Sequence, residues 1–315
     1  MRKIIVLAAL LAVLAGCTGP APTTPVEANA GEGIQVVHQQ GEITLAAQPQ
    51  RVIVQDIAVL DILDALGVDA VIGVPGGNLP DYLQHYGAAP YLKTGTLQEP
   101  DYETISAANP DLVIVASRSR TKLSELAGIA PTIDLSVDNA SLVEGVKQNI
   151  EILGRIFGRE ARATELTAEL DARFAELRER TADAGTAMVL VTNAGRLGVY
   201  GANSRLSWVF TEAGFSPVMN EVDDRFHGGD SVSFEFILEA NPDWLFVVDR
   251  DAGVAGGDAA AARALLDNAL VRQTSAWQQD RVVYLDPVPA YVVMHGFTSV
   301  IHLADQVLEA VVPEA

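Results

Sequence analysis

A chain of 315 residues, 49% apolar and 20% charged, is globular and long enough to bury two hydrophobic cores. Its formal net charge of −20 repels nucleic acid and anionic lipid, so neither is an expected partner, and an anionic ligand needs a local cluster of arginines. The single cysteine excludes an intrachain disulfide and any Cys-based metal or catalytic site.

The chain begins MRKIIVLAALLAVLAGC. Two basic residues precede an apolar run of about 12, too short to span a bilayer and the size of a signal-peptide core. The run closes on Leu14, Ala15, Gly16 and Cys17, which resembles the lipobox of bacterial lipoproteins. That resemblance implies removal of residues 1–16 and lipid attachment to the Cys17 sulfur; a coincidental cysteine after an ordinary signal is the plainer alternative. Residues 17–33, rich in Pro, Thr and Ala without periodicity, form a flexible tether. The expected location faces the periplasm, or the cell exterior if the source has one membrane, with a lipid anchor as the only membrane contact.

Residues 34–158 form the first lobe. Short apolar runs at 51–54, 71–74, 112–116 and 132–135 read as strands, with an amphipathic helix from Ile57 to Leu66 between the first two. Arg159 to Ala184 follows, about 26 residues without Gly or Pro, closed by Gly158 and Gly185. Ala163, Leu166, Leu170, Phe174, Leu177 and Thr181 recur at steps of three and four and line one helix face. Glu169 with Arg173, and Glu176 with Arg180, are spaced as ion pairs on the other face. At about 1.5 Å per residue this rod is roughly 39 Å long, and with strand-rich sequence on both sides it reads as a strut between lobes. An ordinary surface helix or a coiled-coil segment is the alternative. Residues 185–315 form the second lobe, with strands at 188–191, 244–248 and 282–285 and helices near 203–213, 231–240, 259–270 and 296–311. Strands alternating with helices imply mostly parallel sheets.

An internal echo links the halves. ETISAANPD at 103–111 and EFILEANPD at 235–243 agree at six of nine positions, and each leads into an apolar strand. Asn-Pro stops the helix, because the residue before Pro is driven out of helical conformation, and Asp starts the turn.

Two such lobes joined by one helix behind a lipobox resemble the helical-backbone class of substrate-binding proteins of ABC importers, a class III periplasmic-binding-protein fold with two Rossmann-like lobes. The second half is similar to the ferric catecholate siderophore-binding lipoproteins of the enterobactin and petrobactin type. The matching phrases are GANSR at 201–205, HG at 227–228, SVSFEFILEANPD at 231–243, FVVDRD at 246–251, LDNALV at 266–271 and VYLDP at 283–287. The resemblance implies a monomer with no intrinsic cofactor. It carries Fe(III) as a siderophore complex and delivers it to an ABC permease and its ATPase.

It also implies roles for particular residues. Arg118, Arg205 and Arg250 correspond to anion-contacting arginines of the family, with Arg120 competing for the place of Arg118; guanidinium groups suit catecholate oxygens. His227 corresponds to a loop histidine and Tyr291 to an iron-binding tyrosine. Pro289 and Ala290 stand where the family carries aromatic residues, which leaves the register open and makes His295 a competing ligand. Glu103 and Glu235 correspond to carboxylates that dock on the permease. The plain reading of each is a solvated or ion-paired surface residue. An enzyme is disfavoured: His227-Gly228-Gly229 resembles an oxyanion-hole phrase, but no G-x-S-x-G elbow accompanies it. The five histidines lack the spacing of a zinc or manganese receptor. Receptors for haem, cobalamin or ferric hydroxamate remain alternatives, because a fold alone does not choose a ligand.

Overall fold

The computed structural model describes residues 33–219, 222 and 228–311. The signal segment, Cys17, all of the tether but Gly33, and His227 lie outside them. After a hairpin of β1 (Ile34–His38) and β2 (Gly41–Leu45) come β3 (Val52–Val54), α1 (Ile57–Ala65), β4 (Val71–Val74) and β5 (Leu92–Lys93). Then follow α2 (Tyr102–Ala107), β6 (Leu112–Val115), α3 (Leu123–Ala127) and β7 (Thr132–Asp134). Strands β5-β4-β3-β6-β7 make one sheet, parallel throughout.

Two antiparallel-packed helices follow, α4 (Leu142–Phe157) and α5 (Glu160–Arg180). The flank ahead of the rod is therefore helical, not strand-rich. Its signal was present, since Leu142, Val143, Val146, Ile150 and Leu153 follow helical spacing and are buried. Gly158 between the helices adopts φ 62°, a left-handed turn that glycine takes without strain.

The second lobe runs β8 (Thr186–Asn193), β9 (Arg196–Tyr200), α6 (Trp208–Thr211), β10 (Ser216–Pro217), β11 (Asp230–Ser231), α7 (Phe234–Ala240) and β12 (Trp244–Asp249). It ends with α8 (Arg250–Ala255), α9 (Ala260–Leu266), α10 (Ser275–Gln278), β13 (Val282–Tyr284) and α11 (Phe297–Val311). β8, β12 and β13 are parallel, whereas β9 runs antiparallel to β8 and carries β11 antiparallel at the edge. The helix expected at 203–213 shrinks to one turn. Ser204 folds its hydroxyl back on the Gly201 carbonyl (2.7 Å), a local bond that competes with the helix.

Successive strand residues face opposite sides, so each central strand feeds two cores. Trp244, Phe246 and Val248 point to an inner core with Val189, Val52 and Ile114. Leu245 and Val247 point outward with Met188 and Leu190, and in the first lobe Val113 and Val115 do the same with Ile105. The inner core runs unbroken from one sheet to the other through Leu166, Leu170, Phe174 and Leu177 of α5 and Leu303 and Val307 of α11.

α5 touches both lobes. Arg159 and Arg162 donate to the carbonyls of Gly67 and Ala65 at one end, and Arg178 donates to that of Glu212 at the other. Phe174 meets Trp208 edge-on. The helix has 21 residues and stops at Arg180, not Ala184, so it spans roughly 31 Å. Thr181 ends it: its hydroxyl donates to the Leu177 and Ala213 carbonyls, tying the last turn to the second lobe. Arg173 does not settle on Glu169; it pairs with Asp305 of α11 at 2.7 Å.

The echoed phrases are structurally equivalent. Asn109 and Asn241 adopt φ 47° and 40°, the left-handed region that asparagine tolerates. Ile105 and Ile237 are fully buried. Asp111 accepts from the backbone of Gln50 and Arg51, and Asp243 from that of Thr186, so each carboxylate also pins the start of its lobe's first core strand. Among the described residues no helix is long and apolar enough to cross a membrane.

Candidate functional site

Parallel sheets gather chemistry at the carboxyl ends of their strands. Arg118 lies just past β6, after Ser117 at φ 45°, a conformation held by the Ser117 amide donating to the Ser136 hydroxyl (2.9 Å). Its guanidinium crosses to the second lobe and donates to the backbone carbonyls of Tyr291 (2.7 Å) and Val292 (3.0 Å). Burial, then the positive charge of Arg205, pulls its pKa below the usual arginine value. Arg120, two residues on, is exposed.

Arg250 begins α8, whose first turn is capped by Asp249 accepting from the Ala252 amide at 3.0 Å. Arg250 Nε donates to the Tyr291 phenolic oxygen at 3.0 Å, and Nη1 donates to Asn193 (3.2 Å) and Asp251 (3.3 Å). Arg205, on the turn after β9, lies 4.9 Å from the Tyr291 ring centroid and 6.0 Å from that of Tyr200. The Arg118 and Arg250 guanidinium carbons lie 5.7 and 5.5 Å from the Tyr291 centroid. Three guanidiniums thus surround one buried tyrosine in a chain of net charge −20. Cations crowded out of water attract an anion.

Tyr291 sits in a π-helical turn, Pro289–Val293, a bulge often found at functional sites. Pro289 and Ala290, which belong to this turn, are buried with Tyr291. The Met294 backbone (φ 61°, ψ −74°) then makes a γ-turn closed by the His295 amide on the Val293 carbonyl at 2.8 Å. His295 is 5% exposed, and burial, with Arg205 and Arg118 nearby, pushes its pKa down to about 4. Asp61 of α1 anchors the segment from the first lobe. It accepts from Tyr82 (2.7 Å) and from the Thr298 (2.8 Å) and Ser299 (3.0 Å) amides at the start of α11. Gly296 presses on that carboxylate, leaving no room for a Cβ.

Of the residues singled out from sequence, Arg118, Arg205, Arg250, Tyr291 and His295 converge, while His227 lies outside the described residues. Glu103 and Glu235 are exposed in the first turns of α2 and α7, capped by Asp101 and Ser233 respectively. Tyr200 and Asn193 escaped notice; the position of Tyr200 directly before the GANSR phrase was the available signal. Burial raises the Tyr200 pKa to about 12, so its hydroxyl stays protonated as a potential donor. A separate pocket of about 780 Å³ opens between Asn78, Gly256 and α11, lined by Asp81, Asp258 and Asp286 together with Arg263 and His302.

The model of the periplasmic binding protein family Peripla_BP_2 matches residues 22–289. The petrobactin-binding protein YclQ of Bacillus subtilis is 31% identical over 299 residues, covering 94% of this chain and 93% of its own. Its crystal structure aligns at a TM-score of 0.83 over 90% of this chain and 100% of that one. The ferric-anguibactin-binding protein FatB of Vibrio anguillarum is 30% identical over 312 residues, 97% of this chain and 96% of its own. The periplasmic catecholate-siderophore binding protein VctP of Vibrio cholerae aligns at a TM-score of 0.82 with 32% identity, over 88% of this chain and 99% of that one. With two α/β lobes, a long connecting helix and a cleft between them, the chain has the class III fold and belongs to the periplasmic binding protein family.

Proposed function

We propose that this protein captures an anionic ferric catecholate siderophore between its lobes and delivers it to an ABC permease, making and breaking no covalent bond of its own. The observation that carries the reading is the convergence of Arg118, Arg205 and Arg250 on Tyr291. A tris-catecholate complex carries about three negative charges and a bis-catecholate about one, and charge-assisted bonds to their oxygens are the strong ones. A bis-catecholate leaves two positions open on six-coordinate iron. The imidazole of His227 fills one, and the phenolate of Tyr291, a hard donor steadied by Arg250, fills the other, with His295 the alternative to Tyr291. Glu103 and Glu235, at matched places on the two lobes, dock on permease arginines. Cys17 carries the lipid, and residues 17–33 give the receptor reach from the membrane. The relatives that bind petrobactin, anguibactin and catecholate siderophores, each close to one third identical, support the same ligand class.

The test is a titration of purified protein followed by Trp fluorescence, with ferric bis- and tris-catecholates, a ferric hydroxamate, haem and cobalamin. Saturable quenching by the catecholates alone is expected. Saturable haem, cobalamin or hydroxamate binding with no catecholate response overturns the proposal.

A further inference from the structure

We infer that Gly253, through the side chain it lacks, sets the spacing between α8 and the Tyr291 turn and so holds Arg250 and Tyr291 in register. It is a positioning residue for the site, and the inference rests on the ferric catecholate reading above. Gly253 lies buried inside α8, where a glycine is less stable than an alanine. Its backbone does not demand glycine either, since its φ is not positive, unlike that of Gly256 at 80°. What demands it is space. A Cβ at 253 would stand 2.7 Å from the Pro287 carbonyl oxygen and 3.2 Å from the Tyr291 Cβ, and real Cβ contacts essentially never fall below 3.0 Å.

The Pro287 oxygen is backbone, so no side chain swings aside to make room. Neither element is free to retreat. Asp249 holds α8 by accepting from the Ala252 and Ala262 amides (both 3.0 Å), and the Gly253 carbonyl accepts from Asn78 of the first lobe. On the other side α11 holds the turn: Ser299 donates its hydroxyl to the Pro289 carbonyl (3.1 Å), and the Asp286 amide donates to Gln306 (3.0 Å). With a methyl at 253, α8 and the turn have to part by about 0.3–0.7 Å to reach a contact of 3.0–3.4 Å. That carries the 3.0 Å bond from Arg250 Nε to the Tyr291 hydroxyl past the roughly 3.2 Å reach of a good N–H···O bond. Arg250 does not follow, because its Nη1 donates to Asn193 of β8. One added methyl thus parts the arginine from the phenol without changing either residue.

The test uses the full-length protein as wild type, Gly253→Ala, Tyr291→Phe and the double variant. Ligand-free samples labelled with 15N-arginine report the Arg250 Nε–H resonance by NMR, identified by its absence from Arg250→Lys. It is expected at a hydrogen-bonded position in the wild type and shifted in the same direction in Gly253→Ala and Tyr291→Phe. In fluorescence titration with a ferric bis-catecholate, Gly253→Ala is expected to bind about tenfold or more weakly, as for one lost charge-assisted bond. In the Tyr291→Phe background the same substitution is expected to cost nothing further. That result separates positioning from general damage to the fold, which weakens binding in both backgrounds. An unshifted resonance or wild-type affinity in Gly253→Ala, or a cost that persists undiminished beside Tyr291→Phe, overturns the inference. Should Gly253→Ala fail to fold, it is combined with Asn78→Ala, which lets α8 retreat, and the same readings decide. If that protein also fails to fold, the glycine serves the fold as a whole and the inference falls. A wild type that binds no catecholate overturns the functional reading instead, while the ligand-free arginine spectra still decide whether Gly253 sets the spacing of Arg250 and Tyr291.

Discussion

Asn109, Pro110 and Asp111 close a helix and lead into a core strand in the first lobe; Asn241, Pro242 and Asp243 do the same in the second, down to the left-handed asparagine and the strand-pinning carboxylate. From that shared frame the lobes diverge. The first keeps an all-parallel sheet and sends one guanidinium, Arg118, across the cleft, with Asp56 and Asp61 buried behind it. The second inserts the antiparallel strand β9, which ends at Tyr200 and turns through Arg205. Arg250, Tyr291 and His295 also belong to this lobe. Frame and candidate chemistry are thus separable: both lobes carry the frame, and the second holds most of the groups of the candidate site.

The largest expected effect comes from setting the buried acids of the first lobe against the buried base of the second. Burial pushes Asp56 and Asp61 up to about 6, above the ordinary 3.8, so the fold favours their protonated forms. Their contribution is fully present below pH 3.8 and is lost as the pH rises through 6. His295, pushed down to about 4 from 6.5, does the reverse: its contribution is present above 6.5 and is lost as the pH falls toward 4. Each is worth roughly 3 kcal/mol. Thermal unfolding between pH 4 and 7 should therefore show opposite changes. The pair Asp56→Asn and Asp61→Asn should make the protein relatively less stable toward acid than the wild type, and His295→Gln relatively more stable. Parallel profiles for all three proteins would remove the contrast.

Next in size is charge in the second lobe. Arg205→Ala removes charge-assisted bonds worth about 1.5–3 kcal/mol, so affinity should fall roughly 10- to 150-fold by fluorescence titration. Bis- and tris-catecholates should lose alike, because both present anionic oxygens. A loss confined to one of them would mean that Arg205 reads shape rather than charge.

Much of this arrangement was legible before the fold was known, and the unread parts share a cause. Helix α5 declared itself because Ala163, Leu166, Leu170, Phe174 and Leu177 keep a strict helical period and all are buried. The helix-stop phrases worked because Asn-Pro acts through local backbone sterics. The stopping point at Arg180 was not readable, since Thr181 is drawn to Ala213, a partner distant in sequence. The same holds for Arg173, which prefers Asp305 of α11 to its own helix. The register at Tyr291 stayed open because Pro289 and Ala290 stand where the resembling family carries aromatic residues, and the π-helical turn that the segment forms follows no regular period that could have resolved it. Short-range chemistry reads directly from sequence, whereas contacts across the chain do not.

A smaller effect is expected at the single guanidinium of the first lobe. Arg118 already donates to two backbone carbonyls. On the proposed role of Arg118, a bound catecholate would exchange those bonds for new ones, so the net gain would be less than that of adding contacts outright. Arg118→Ala should weaken binding by less than about tenfold, that is, by under about 1.4 kcal/mol. A loss equal to that of Arg205→Ala would place both lobes on the same footing and blur the contrast between them.

The smallest expected effect is in overall shape. The lobes do not meet as two closed surfaces; one apolar core passes from Val52 and Ile114 through Leu166, Leu170 and Phe174 to Val189 and Phe246. Each buried leucine or phenylalanine contributes on the order of 1.5–3 kcal/mol, so a wide opening would expose more apolar surface than a few ligand bonds could offset. α5 adds a continuous helix anchored at Gly67 and Ala65 on one side and Glu212 on the other, and α11 is held to it by Arg173 and Asp305. Motion is left to the cleft edge, where Arg118 and the bond from Asn78 to the Gly253 carbonyl (3.3 Å) join the lobes. Small-angle scattering with and without a ferric catecholate should therefore give nearly superimposable curves. Arg118→Ala combined with Asn78→Ala should add a slight expansion in the ligand-free protein only. A large ligand-induced contraction in the wild type would show that the shared core yields and that the two lobes are mechanically independent.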